Sequence, residues 1–135
     1  MRSRPTEGNL LVSNGIPFLN PGPYLDLAVR SVFAQTYLNW ELILVDDGST
    51  DGSYERAVAI QDPRVRVLRD GQNKGLPARL NEIVRLAKGE LVARMDADDA
   101  MHPLRLEKQV GFLQANPELD GVTTGAYLID AEDRP

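Results

Sequence analysis

Three carboxylates, Asp96, Asp98 and Asp99, fall within four positions directly after the short run Leu91-Val92-Ala93-Arg94-Met95. Close carboxylates repel one another and lose hydration when crowded, so a strand seldom ends this way for packing reasons. A divalent cation removes the penalty. Hard oxygen ligands at the mouth of a sheet suit Mg²⁺ or Mn²⁺, and those ions in turn suit a bound diphosphate. Asp96 and Asp98 are therefore candidate metal ligands. A second acidic stretch, Asp46-Asp47-Gly48-Ser49-Thr50-Asp51-Gly52, follows the apolar run Trp40 to Val45. Taken alone, it reads equally well as a loop that caps the next helix. Asn73-Lys74-Gly75, taken alone, reads as a turn.

The elements that must position these residues follow from periodicity. Leu10 to Ile16 reads as a first strand, interrupted by polar Ser13-Asn14-Gly15. The buried amide of Asn14 would need partners, which favours an edge position or a local irregularity. After the turn Asn20-Pro21-Gly22-Pro23, apolar residues from Tyr24 to Phe33 repeat at helical spacing. Trp40 to Val45 is a second strand, and a short helix is expected to about Ile60. Val65 to Leu68 is a third strand. Leu76, Leu80, Ile83, Val84 and Ala87 mark another helix, which Gly89 ends. The fourth strand is Leu91 to Met95. Pro103 opens a helix with Leu106, Val110 and Leu113 on one face. Gly121 to Ile129 reads as a fifth strand. Trp40 and Phe33 are expected in the core, and His102 as a cap or surface residue. Strand and helix alternate four times, which predicts an α/β fold with a mostly parallel sheet and helices on both faces.

Composition narrows the function. The chain has 135 residues, 42% hydrophobic and 26% charged, enough for one domain with a real core. Its net charge of -5 argues against nucleic acid as a partner, because phosphate contacts need clustered Lys and Arg. The absence of cysteine removes disulfide and thiolate chemistry, and one histidine argues against a His-rich zinc site. No apolar run approaches the ~18 residues of a membrane span. Residues 1–9 are polar and read as a loose arm, leaving residues 10–135 as the folded unit.

Ligands of open α/β sheets bind outside the carboxyl ends of the strands. Pro17 and Phe18 sit at the first such end, Asp46 and Asp47 at the second, and Asp70 and Asn73 follow the third. Asp96 to Asp99 follow the fourth. Parallel strands would place all of them on one rim. Carboxylates there can accept hydrogen bonds from a base and from ribose, while others hold a metal that binds both phosphates.

Together these segments resemble the family 2 glycosyltransferases of the Rossmann-like GT-A fold. The matching stretches are Ile16-Pro17-Phe18, Ser31 to Tyr37, Glu41 to Asp51, Asn73-Lys74-Gly75-Leu76, Leu80-Asn81, Ala93 to Asp99, and Pro103 to Glu107 with Gln109. The resemblance implies a nucleotide-sugar donor, UDP-linked by preference, and a divalent metal, Mn²⁺ or Mg²⁺. It implies transfer of the sugar to a hydroxyl of a glycan, lipid or protein acceptor, with inversion in the full-length protein. Carried over by position, Pro17 and Phe18 cradle the base and Asp46 binds it. Asp47, Asn73 and Arg79 belong to the nucleotide-contacting set. Asp96 is the first Asp of the Asp-x-Asp motif, near ribose and metal. Asp98 is the principal metal ligand, and Asp99 orients the loop or a metal-bound water. A cytoplasmic location is expected, with peripheral attachment of the full-length protein to a membrane left open.

The sequence also departs from the family. Many members read Pro-x-Tyr-Asn after the first strand; here Pro17-Phe18-Leu19-Asn20 lacks the tyrosine. Many carry Arg directly before the Asn of the third helix; here that position is Leu80, and Arg79 comes one residue earlier, turned by about 100°. Asp130-Ala131-Glu132-Asp133 reads as a turn with no returning strand after it, so the chain is expected to be the donor-binding half of a longer domain. Its general base is expected downstream, and the piece alone is expected to be inactive. The alternative is a non-catalytic module that binds nucleotide-sugar. Phosphoryl chemistry on an Asp-x-Asp-x-Thr motif is disfavoured, because Ala100 holds the threonine position and the motif follows the fourth strand rather than the first.

Overall fold

The computed structural model describes residues 8–132 and 134. Most of the expected polar arm, residues 1–7, lies outside the described residues, as does Asp133. The elements run β1 (Val12–Phe18), α1 (Tyr24–Phe33), β2 (Trp40–Asp46), α2 (Ser53–Val58), β3 (Val65–Arg69), α3 (Leu76–Leu86), β4 (Leu91–Arg94) and α4 (Arg105–Ala115). The strands form one sheet in the order β3-β2-β1-β4, with every neighbouring pair parallel.

Alternation along β2 explains why the sheet needs cover on both faces. Trp40, Leu42 and Leu44 enter the larger core with Leu25, Val29 and Val32 of α1 and Leu106 and Val110 of α4. Ile43 and Val45 point the other way and meet Ile83 of α3. Helices therefore flank both sides, as the alternation of elements predicts. Among the described residues, no helix is long and apolar enough to cross a membrane.

Several details differ from the sequence reading. Asn14 lies in an interior strand, not at an edge, and is fully buried. Its Nδ2 donates to the Glu41 carbonyl at 3.1 Å, which pins β1 to β2 through a side chain. Phe33 is 38% exposed; its ring meets the Trp40 ring edge-to-face, with centroids 5.1 Å apart. Leu76 and Val84 of α3 face outward, and Arg79 takes the buried face beside Ile83. Pro103 lies in the turn before α4 rather than opening it. Residues 121–129 join no ladder, and Tyr127 and Leu128 are about nine-tenths exposed (91% and 90%). Residues that favour a strand make one only when a neighbouring backbone accepts the ladder, and among the described residues none does so here.

The amino end of the sheet is closed by a buried acid. Glu41 Oε1 accepts from the Ser13 hydroxyl at 2.8 Å and from the Lys88 amide at 2.9 Å. Ser13 Oγ in turn accepts the Gly89 amide at 2.8 Å, fastening the turn that feeds β4. Burial pushes the Glu41 carboxyl up, but the Lys88 amide, the Ser13 hydroxyl and the cations Arg66 and Lys88 outweigh it and the net is downward.

On the same face as Glu41, α3 lies close against the sheet. A Cβ on Gly15 would stand 2.4 Å from Ile83 Cγ2. Ile83 is itself buried, so it has little room to retreat. Gly15→Ala is expected to destabilise the fold by about 1–3 kcal/mol through overpacking. Urea denaturation measures this, and pairing the change with Ile83→Ala, which removes the clashing Cγ2, should cost less than the sum of the two single changes.

Candidate functional site

All four carboxyl strand ends open on one rim because every ladder is parallel. The register is specific: Phe18 pairs with Asp46, and Gly15 pairs with Arg94. The loop after β1 is then tied down on the β2 side. Asn20 Oδ1 accepts the Thr50 amide at 2.7 Å, while the Asn20 amide donates to Ser49 Oγ at 2.9 Å. Asn20 adopts φ 48°, the left-handed region that an asparagine tolerates better than most residues.

Two crevices flank this loop and share Pro17, Phe18 and Leu19 as a common wall. One, of about 280 Å³, continues to Asp47, Asn73 and Leu76. The other, of about 380 Å³, continues to Tyr24, Ala97 and Asp98.

Asp47 is the hub of the first crevice. Its Oδ1 accepts from the Lys74 amide and from Arg79 Nε, both at 2.8 Å, and its Oδ2 accepts from the Gly75 amide at 3.2 Å. The far side of the Arg79 guanidinium grips Asp70 in bidentate fashion, at 2.8 and 3.0 Å. It also donates to Glu82 at 3.0 Å and to the Gln72 carbonyl at 2.6 Å. Residues 70–75 are thereby fastened to the end of β2. Gly48, at φ 102°, makes the turn that admits this loop, with the Gln72 carbonyl 3.5 Å from where its Cβ would sit. Burial pushes the Asp47 carboxyl up, yet the two amides and the guanidinium outweigh it and hold it below the usual carboxylate value. Arg79 and Lys74 hold Asp70 far below that value.

The second crevice leads to the acidic cluster. Oxygens of Asp96, Asp98 and Asp99 lie within 4.8 Å of one another, and all three residues are exposed. Burial of its carboxyl and the charges of Asp98 and Asp96 raise the Asp99 pKa, against a smaller opposing pull from Arg105. A cation beside the cluster would relieve that repulsion, so the donor set fits a hard divalent ion. The cluster is held from behind by α1. Gln35 Nε2 donates to the His102 carbonyl at 2.8 Å, and Gln35 Oε1 accepts the Leu106 amide at 3.0 Å. Ser31 Oγ accepts the Met101 amide at 3.0 Å.

Residues 13–134 match the sequence profile of the family described as glycosyl transferase family 2. The chain belongs to that family. It is 42% identical over 106 residues to the putative glycosyltransferase EpsE of Bacillus subtilis (strain 168), covering 76% of this chain and 38% of that protein. It is 32% identical over 106 residues to the Escherichia coli UDP-Glc:alpha-D-GlcNAc-diphosphoundecaprenol beta-1,3-glucosyltransferase WfgD, covering 78% of this chain and 42% of that protein. Among solved structures, the mannosyltransferase PcManGT from Pyrobaculum calidifontis, in complex with GDP-Man and Mn²⁺, superposes with a TM-score of 0.71 at 27% identity. That match covers 81% of this chain and 34% of the other. Staphylococcus aureus TarS 1-349 in complex with UDP-GlcNAc gives 0.72 at 25% identity, covering 77% and 31%. This family 2 chain therefore has the GT-A arrangement over the part it spans, which is less than half the length of these relatives.

The geometry sorts the residues singled out from the sequence. Pro17, Phe18, Asp47, Asn73 and Arg79 gather at one crevice, and Asp98 reaches the other from its cluster with Asp96. Asp46 does not join them: it is fully buried and borders neither crevice. Its Oδ1 accepts the Ser49 amide at 2.8 Å, and its Oδ2 faces Arg69 Nε at 3.6 Å. The residue expected to bind the base therefore has its carboxyl buried and bonded within the protein, and it is the next residue, Asp47, that borders a crevice. Leu19, Tyr24 and Leu76 line the crevices without having been singled out as site residues. The bracing pair Ser31 and Gln35 was also missed, although its i, i+4 spacing at the end of α1 is a usable signal.

The lowered pKa values of Asp47 and Asp70 make the hub acid-sensitive. Because the folded values lie below the unfolded ones, the stabilisation is complete above about pH 4 and is lost as pH falls through the folded values. Thermal melts followed by circular dichroism should show Tm falling between about pH 4 and pH 2. Asp47→Asn should lower Tm at pH 7 and flatten that fall.

Proposed function

We propose that this chain is the donor-binding half of a glycosyltransferase that takes a nucleoside diphosphate sugar, UDP-linked by preference. The observation that carries the reading is the shared wall Pro17-Phe18-Leu19. It joins a crevice ending at a carboxylate acceptor, Asp47, to one ending at the acidic cluster of Asp98. A nucleotide laid across that wall has its base beside Asp47, Asn73 and Leu76 and its diphosphate beside Asp96 and Asp98. Asp47 accepts a hydrogen bond from a base N–H, and Leu19 and Leu76 offer apolar surface to the ring faces. Asp96 and Asp98 hold a divalent cation, Mn²⁺ or Mg²⁺, with Asp99 beside them. When bound, that ion supplies the positive charge that a departing diphosphate needs.

Transfer then proceeds by direct displacement. The acceptor hydroxyl oxygen bonds to the anomeric carbon as the bond from that carbon to the diphosphate oxygen breaks, which inverts the centre. The hydroxyl proton passes to a general base that we assign to the acceptor-binding part of the full-length protein. The acceptor is a glycan, lipid or protein. A cytoplasmic protein, peripheral to a membrane where the acceptor is lipid-linked, accords with the lipid-linked acceptor in the name of the Escherichia coli relative.

Isothermal titration calorimetry with UDP, with and without Mn²⁺, tests the donor site. Binding should strengthen with Mn²⁺, and Asp98→Ala should weaken the metal-dependent part about tenfold or more. A folded sample that binds no nucleotide, or an Asp98→Ala variant indistinguishable from the parent, would count against the reading.

A further inference from the structure

Arg79 borders the nucleotide crevice, yet only 1% of its side chain is exposed. A guanidinium carries five N–H bonds. All five have protein acceptors here: Nε on Asp47, one terminal nitrogen on Asp70 and Glu82, the other on Asp70 and the Gln72 carbonyl. No donor remains for a phosphate or a base. The same contacts leave Asp47 Oδ1 doubly engaged, while Oδ2 accepts one amide at 3.2 Å and keeps a free lone pair.

We propose that Arg79 is a positioning residue that sets base selectivity by clamping Asp47 as a fixed, acceptor-only edge of the crevice. The inference rests on the donor-site reading above. An acceptor-only edge rewards a base that presents a ring N–H, as uracil does, and repels the ring acceptor that adenine presents. The planar fork matters because it holds two carboxylates at a fixed angle, which the single point charge of a lysine does not reproduce. Asp70 and Glu82 anchor the fork from outside the crevice, so selectivity extends to residues that never meet the ligand.

The test is calorimetry with UDP and with ADP, in Mn²⁺, on the parent chain, Arg79→Lys, Arg79→Met, Asp47→Asn and the double variant. Mn²⁺ binding alone, followed by electron paramagnetic resonance, and circular dichroism establish that each variant is folded with its acidic cluster intact. Arg79→Met should weaken UDP about tenfold or more while ADP changes by less than about twofold, with Arg79→Lys falling between. In the Asp47→Asn background, Arg79→Met should cost no further UDP preference, because a residue acting through another shows a non-additive cycle. Equal losses for UDP and ADP, or fully additive substitutions, would overturn the proposal. If Arg79→Met fails to fold, Arg79→Lys and Asp70→Asn decide: both should reduce the preference for UDP, and an unchanged preference in the folded variants overturns it. A folded parent that binds no UDP would sink the donor-site reading itself, a result separate from any of these.

Discussion

Two parallel ladders on either side of β1 are the constraint from which the site follows. β1 pairs with β2 over its whole length, from Val12 with Trp40 to Phe18 with Asp46. It pairs with β4 only as far as Gly15 with Arg94. The short partner releases its chain early, so the acidic loop begins level with Ile16 while β1 runs on. Pro17 to Leu19 consequently stand as a partition, with Asp47 on one side and Asp98 on the other. Antiparallel pairing on either side of β1 would send one of those carboxylates to the far end, roughly 3.3 Å away for each residue of strand.

The two ends of the sheet treat their acids in opposite ways. At the amino end, Glu41 is buried and its donors come from the protein: one backbone amide, a hydroxyl and neighbouring cations. At the carboxyl end, Asp96, Asp98 and Asp99 crowd one another, and burial of its carboxyl together with the two neighbouring charges raises the pKa of Asp99. Asp47 lies between these extremes. Its donors come from the protein, but it retains acceptor capacity beside a crevice. An acid that is satisfied internally stabilises the fold, and an acid that is left crowded at an opening favours a ligand.

Much of this was legible in the chain itself. Uninterrupted apolar runs such as Leu42 to Val45 can only be interior parallel strands, and the helical repeat from Tyr24 to Val32 leaves little choice of partner. The acidic cluster stood out because nothing in packing explains it. Other features depend on direction, which spacing alone does not encode. Asp46 and Asp47 are adjacent, chemically identical and both buried, so only the direction of the chain decides which one borders the crevice. Arg79 occupies a buried helical face that the apolar pattern assigned to Leu76 and Val84, because a long cation can be buried when carboxylates converge on it. Residues 121–129 carry β-branched and aromatic residues that suit a strand, but composition does not supply the neighbour that must accept its hydrogen bonds.

The bare backbone of Gly15 has a mechanical consequence beyond the helix it admits. α3 rests on β1 at that point, and the first turn of α3, with Gly75 and Leu76, forms the outer jaw of the Asp47 crevice. The inner jaw, Pro17 and Phe18, lies two and three residues further along the same strand. One contact thus acts as the fulcrum for both jaws. The gap between them is gauged from beneath by a missing methyl group, at a residue that lines neither crevice.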